Sequence, residues 1–81
     1  MPLSNSAIYI LRMLYSAGKI GNNYTNVRNL RHAFPKRMRD MTTVAYAVRE
    51  LRKEGLIMIF KKGDCISLNP HEIHRIEKEI G

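Results

Sequence analysis

Apolar positions recur along this chain in short blocks, separated by Pro2, Gly18, Gly21, Pro35, Gly55, Gly63, Pro70 and Gly81. In the first block, about Ser4 to Ala17, Ala7, Ile8, Leu11, Leu14 and Tyr15 share one face at about 100° per residue, which predicts an amphipathic helix. Ser4 or Asn5 is its cap and Gly18 its stop. Tyr9, Ile10 and Met13 lie off that face and are still apolar, and this second apolar side predicts a dimer contact, the alternative being a small fold that wraps around the helix on more than one side. A polar turn follows from Gly21 to Tyr24. Thr25 then reads as the cap of a short second helix, with Val27, Leu30, Ala33 and Phe34 facing inward until Pro35 ends it. The third helix is predicted from a Thr42 cap to a stop at Gly55. With Thr42 as zero, Val44, Val48 and Leu51 cluster near 200°, and Thr42, Tyr46, Arg49 and Lys53 fall within about 40° of zero. The period then changes to two. Leu56 to Lys61 and Cys65 to Leu68 read as paired strands, joined by a two-residue turn at Gly63-Asp64. Asn69-Pro70-His71-Glu72 opens a last helix with a capping box, and Ile73, Ile76 and Ile80 form its apolar stripe.

The predicted order is three helices, a hairpin and a fourth helix, an α+β architecture. At 81 residues, the chain holds one small domain, residues 1–81, and has no room for a second core. The run Thr42-Thr43-Val44, continued by Val48-Arg49-Glu50-Leu51-Arg52-Lys53-Glu54-Gly55-Leu56-Ile57, resembles the winged helix-turn-helix family of DNA-binding domains. Tyr24-Thr25 with Val27 and Leu30 is similar to that family's second helix. The resemblance spans about Ser6 to Leu68. It implies a three-helix core with a β-hairpin wing, here followed by a C-terminal helix. It also implies that the third helix, 42–54, enters the DNA major groove. Thr42, Thr43, Tyr46, Arg49 and Lys53 would then face bases or nearby phosphates, and Lys61 and Lys62 would act from the wing, 56–68. The segment from Pro35 to Met41 is longer than the family's usual turn.

Charge sharpens this picture. Fourteen Lys and Arg stand against seven Asp and Glu, a formal charge of +7. Residues 1–39 contain seven bases and no acid, while residues 40–81 hold seven of each, so the whole excess lies in the first half. Five bases, Arg28, Arg31, Lys36, Arg37 and Arg39, fall within twelve residues. Such a cluster makes a positive field suited to a polyanion. These five are expected to meet phosphates, which fix register without reading sequence.

The same composition narrows the alternatives. An apolar share of 44% argues against disorder. No apolar run approaches the roughly 20 residues of a membrane span. The first residues do not have the form of a secretory signal, and the single cysteine, Cys65, makes no internal disulfide. A cytoplasmic, nucleoid-associated location is expected. His71 and His74 stand three apart with Cys65 nearby, a set that could bind zinc, but helix surfaces hold histidines by chance and Cys65 suits the sheet, so no metal site is predicted; neither a phosphate loop nor a nucleophile with an assembled base is present. No enzyme activity, cofactor or small-molecule substrate is expected. The expectation is a small transcriptional regulator that binds double-stranded DNA as a homodimer. A second reading stays open: an interaction module of the same fold that binds protein or RNA in a replication, transcription or RNA-processing assembly.

Overall fold

The computed structural model describes residues 2–36 and 39–81. The first helix, α1, spans Asn5–Ser16, and Ser4 caps it by accepting the Ala7 N–H at 3.2 Å. Gly18 ends the turn beyond it with φ +68°, a left-handed conformation that favours glycine. The Ser4 backbone N–H and hydroxyl both donate to the Glu50 carboxylate, at 2.9 and 2.8 Å. That pair ties the start of α1 to the third helix.

Between α1 and α2 the chain makes a strand that the pattern did not announce. β1, Thr25–Asn26, pairs antiparallel with β3, Cys65–Leu68, with Thr25 opposite Ile66 and Asn26 opposite Cys65. Thr25 is therefore not a helix cap. Asn26 takes that role for α2, Val27–His32, and its side chain accepts the Arg28 N–H at 2.8 Å. Leu30 and Phe34 turn inward as expected, whereas Ala33 is exposed.

The third helix, α3, covers Met41–Lys53. Its cap position is Asp40, so Thr42 stands inside the first turn rather than before it. Gly55, at φ +73°, stops it, and the Leu56 N–H reaches back to the Leu51 carbonyl at 3.0 Å. The chain passes directly into β2, Ile57–Phe60, which pairs antiparallel with β3 from Ile57–Leu68 to Phe60–Cys65. The sheet order is β1-β3-β2. Because Phe60 and Cys65 are the last pair, the hairpin loop has four residues, Lys61 to Asp64, not two. Lys61 and Lys62 both take left-handed φ values, 53° and 56°, ahead of Gly63.

Asn69 accepts the His71 N–H at 3.0 Å, and a short turn, Pro70–Glu72, leads into α4, Ile73–Ile80. The expected capping box does not form, because the Asn69 N–H already donates to the Leu56 carbonyl at 3.0 Å. The Asn69 side-chain amide also donates to the Gly55 carbonyl at 2.9 Å. One asparagine thus joins the end of α3 to the start of α4. Arg75 reinforces this joint by pairing with Glu54 and donating to its carbonyl at 3.0 Å.

The described residues form an α+β fold of four helices and a three-stranded antiparallel sheet around one core. Alternation along the strands sends Ile57, Leu68 and Ile66 toward the helices. On the other face Ser67, fully buried, donates to the Gly21 carbonyl at 2.6 Å, and the Tyr24 and Phe60 rings stack at 4.6 Å. The second apolar side of α1 is largely used within the chain. Ile10 has no exposed surface and belongs to the core, so it is not available to a dimer partner. Tyr9 packs edge-on against Phe34, with ring centres 5.0 Å apart, and donates its hydroxyl to the Ala33 carbonyl at 3.3 Å. Met13 is half-buried. In so small a fold, elements surround α1 on more than one side, and a two-sided apolar helix results without a partner.

Candidate nucleic-acid interface

Helix α3 buries Val44, Ala47 and Leu51, which leaves its opposite stripe in solvent. Thr42, Tyr46, Arg49 and Lys53 are all exposed, Tyr46 by 64%. The Arg49 guanidinium lies 5.8 Å from the centre of the Tyr46 ring, so the two side chains form a cation–π pair one helical turn apart. Thr43 is half-buried, and its hydroxyl donates to Asp40 Oδ2 at 3.3 Å. It faces the start of its own helix more than the solvent.

Three contiguous recesses join this stripe to the hairpin and to α2, and Met41 lines all of them. The first runs between α3 and β2, with Val27, Val48 and Ile59 on its floor and Arg49, Arg52 and Gly63 around it. The second lies along Thr42, Tyr46 and Arg49. The third brings Asn26 and Arg28 against Gly63 and Asp64. A hydrogen bond holds this corner, since the Val27 N–H donates to the Asp64 carbonyl at 2.9 Å. The first turn of α2, the exposed side of α3 and the hairpin tip therefore share one face. Lys61 and Lys62 stand exposed at the tip.

The five clustered cations divide. Arg28 is exposed on this face, and Lys36 is exposed beyond the end of α2. Arg31 is half-buried and directs Nη1 to the Met41 sulfur. Arg39 turns back on the chain, with Nε donating to the Phe34 carbonyl at 2.8 Å and Nη2 to the His32 carbonyl at 3.1 Å. Arg37 lies outside the described residues. The sequence pattern counts cations but not their internal partners, so it treated Arg31 and Arg39 like Arg28. It also passed over Arg52, which lies about 80° off the exposed stripe. Its signal was available: Arg49 and Arg52 are three apart, the spacing of helix-surface neighbours.

Tyr15 on α1 donates its hydroxyl to Glu77 Oε2 on α4 at 2.5 Å. That bond, and then the carboxylate's negative charge, raise the Tyr15 pKa above the ordinary tyrosine value. Cys65 is buried in β3, and among the described residues no three His, Cys, Asp or Glu side chains come together as metal ligands. Among the described residues, no helix is long and apolar enough to cross a membrane. Comparison with family models, with curated proteins and with solved structures returned no match to this chain.

Proposed function

We propose that this chain is a winged-helix module that binds double-stranded DNA, with α3 laid in the major groove and the β2–β3 hairpin acting as the wing. The observation that carries the reading is the shared face. An exposed polar and cationic helix side, Thr42-Tyr46-Arg49, opens onto the same surface as the hairpin tip and Arg28, and Lys53 is exposed one turn further along α3. A major groove about 12 Å wide admits a helix, and an arginine fork matches the O6 and N7 acceptors of guanine. Tyr46 lies beside Arg49 as a cation–π partner, and both side chains are exposed. Thr42 and Tyr46 suit a thymine methyl or a phosphate. Arg28, Arg52, Lys53, Lys61 and Lys62 are exposed cations that would meet the backbone. If each of these five neutralises one phosphate, log affinity falls against log salt with a slope of about −4.5.

Occupying a site on duplex DNA suits control of transcription, and transcriptional regulation is the role we assign. A two-fold dimer is part of the proposal, now through the Met13 side of α1, where Tyr9, Arg12, Ser16 and Ala17 line a shallow groove. Two copies of α3 would then sit about 34 Å apart, or a multiple of that, on a palindrome. A strictly monomeric state in sedimentation at tens of micromolar would remove the dimer and leave the single-site reading.

One observation favours a second reading: the floor of the groove between α3 and β2 is apolar. A protein partner would meet it with apolar side chains, and a duplex with the faces of its sugars. Charge reversal separates the two. Arg49→Glu is expected to weaken duplex binding by roughly a hundredfold, the loss of a good base contact plus repulsion. Because Arg49 is exposed, thermal stability should not change. Duplex affinity equal to that of the unsubstituted protein would overturn the major-groove assignment.

A further inference from the structure

The carboxyl end of α2 is closed in an unusual way. A helix leaves its last carbonyls without intrahelical partners. Here three successive carbonyls, of His32, Ala33 and Phe34, each accept a side-chain donor. Arg39 serves the first and third, at 3.1 and 2.8 Å, and the Tyr9 hydroxyl serves the second at 3.3 Å. Phe34 is itself buried in the core. Asp40, the residue after Arg39, is the cap position of α3. So Arg39 grips the end of one helix, and the neighbouring residue starts the next.

We propose that Arg39 is a positioning residue, whose guanidinium fork fixes the end of α2 relative to the start of α3 and thereby sets how the exposed side of α3 meets DNA. The inference rests on the DNA-binding reading for its consequence, but the clamp itself does not. Chemistry favours arginine for this task. Its planar fork delivers two fixed donors to two carbonyls, which a lysine ammonium does not reproduce. A cation at a helix carboxyl end is also favoured by the helix dipole. The clamp matters more here because the connection from Pro35 to Asp40 is long for a helix-turn-helix, and α2 has only six residues with which to hold its own orientation. A second tie, from Arg31 to the Met41 sulfur, runs between the same two helices.

The test uses Arg39→Lys and Arg39→Gln beside the unsubstituted protein, at a temperature where all three are folded. Two measurements are made. Amide hydrogen exchange at Val44, Ala45 and Tyr46, the first hydrogen-bonded amides of α3, reads the clamp without DNA. Affinity for a selected duplex and for a random duplex, across a salt series, reads its consequence. The proposal predicts faster exchange at those amides for both variants, and discrimination between the two duplexes reduced about fivefold or more. The salt slope should stay that of the unsubstituted protein. If Arg39 instead contacts a phosphate, Arg39→Lys will behave like the original and Arg39→Gln will lose about 0.9 from the slope with discrimination intact. That result overturns the proposal. So does unchanged exchange, or a lower melting temperature with both affinities preserved, which would make Arg39 a stabilising residue only. If the unsubstituted protein binds no duplex while both variants still exchange faster, the DNA reading fails and the clamp stands.

Discussion

Replacing Ile10 by alanine separates the core from the dimer interface. The side chain has no exposed surface and sits among Leu11, Leu14 and the other residues of the single core. The substitution removes three carbons, a transfer loss of about 2.4 kcal/mol at ~0.8 kcal/mol each. Incomplete collapse of the cavity raises the cost to about 3 kcal/mol. A domain of this length has a total stability of about 4–12 kcal/mol, so the variant should still fold in the cold. In urea at low temperature, the midpoint should fall with the slope m unchanged, and the shift should be the same at all protein concentrations. On heating, the melting temperature should drop by about 12–24 °C. If Ile10 were a dimer contact, the outcome would differ. The loss at micromolar concentration would then shrink as protein concentration rises. A destabilisation below about 1 kcal/mol, or one that depends on concentration, refutes the placement of Ile10 in the core.

Three further outcomes follow from the same geometry. Asn69→Ala removes a helix cap and the tie to Gly55, worth about 1 kcal/mol each, so urea unfolding should show a loss of about 2 kcal/mol, and less than 0.5 would contradict the joint. Tyr15 must stay neutral to donate to Glu77, so its contribution holds below the ordinary tyrosine pKa and is lost as pH rises through the raised folded value. An absorbance titration should show one tyrosine ionising late, and Glu77→Gln should lower it. The paired change Lys61→Asn with Lys62→Gly relieves two left-handed lysines, and thermal unfolding should show a gain of roughly 1 kcal/mol. The same variant should flatten the salt slope of duplex binding by about 1.8. A flatter slope without the gain in stability would mean that the tip is unstrained.

Much of this architecture could be read from periodicity, because the long elements bury one face. The exposed stripe of α3 and the return strand from Cys65 to Leu68 follow from that rule, whereas the cap of α3 lies two residues before Thr42, at Asp40. The misses have local causes. β1 has two residues and therefore no period, and its pairing with Ile66 and Cys65 is a long-range event. The cap of α2 falls at Asn26 because the strand runs through Thr25 and Asn26 before the helix begins at Val27. The turn chemistry of Gly63-Asp64 suggested a two-residue loop, yet the register closed at Phe60–Cys65 and put Lys61 and Lys62 into the positive-φ positions. Within the candidate site, exposure on α3 was legible, but the internal partners of Arg31 and Arg39 were not. A guanidinium reaching back to carbonyls five and seven residues earlier leaves no mark in composition or spacing.

The central claim is that α3 and its neighbours form a surface that reads duplex DNA. Selection from a random duplex pool at about 150 mM salt, where nonspecific attraction is partly screened, tests it most directly. The account predicts an enriched motif, with half-sites about one helical turn apart or a multiple of that if the dimer forms. Duplex recovered without enrichment, or no duplex recovered at all, contradicts it.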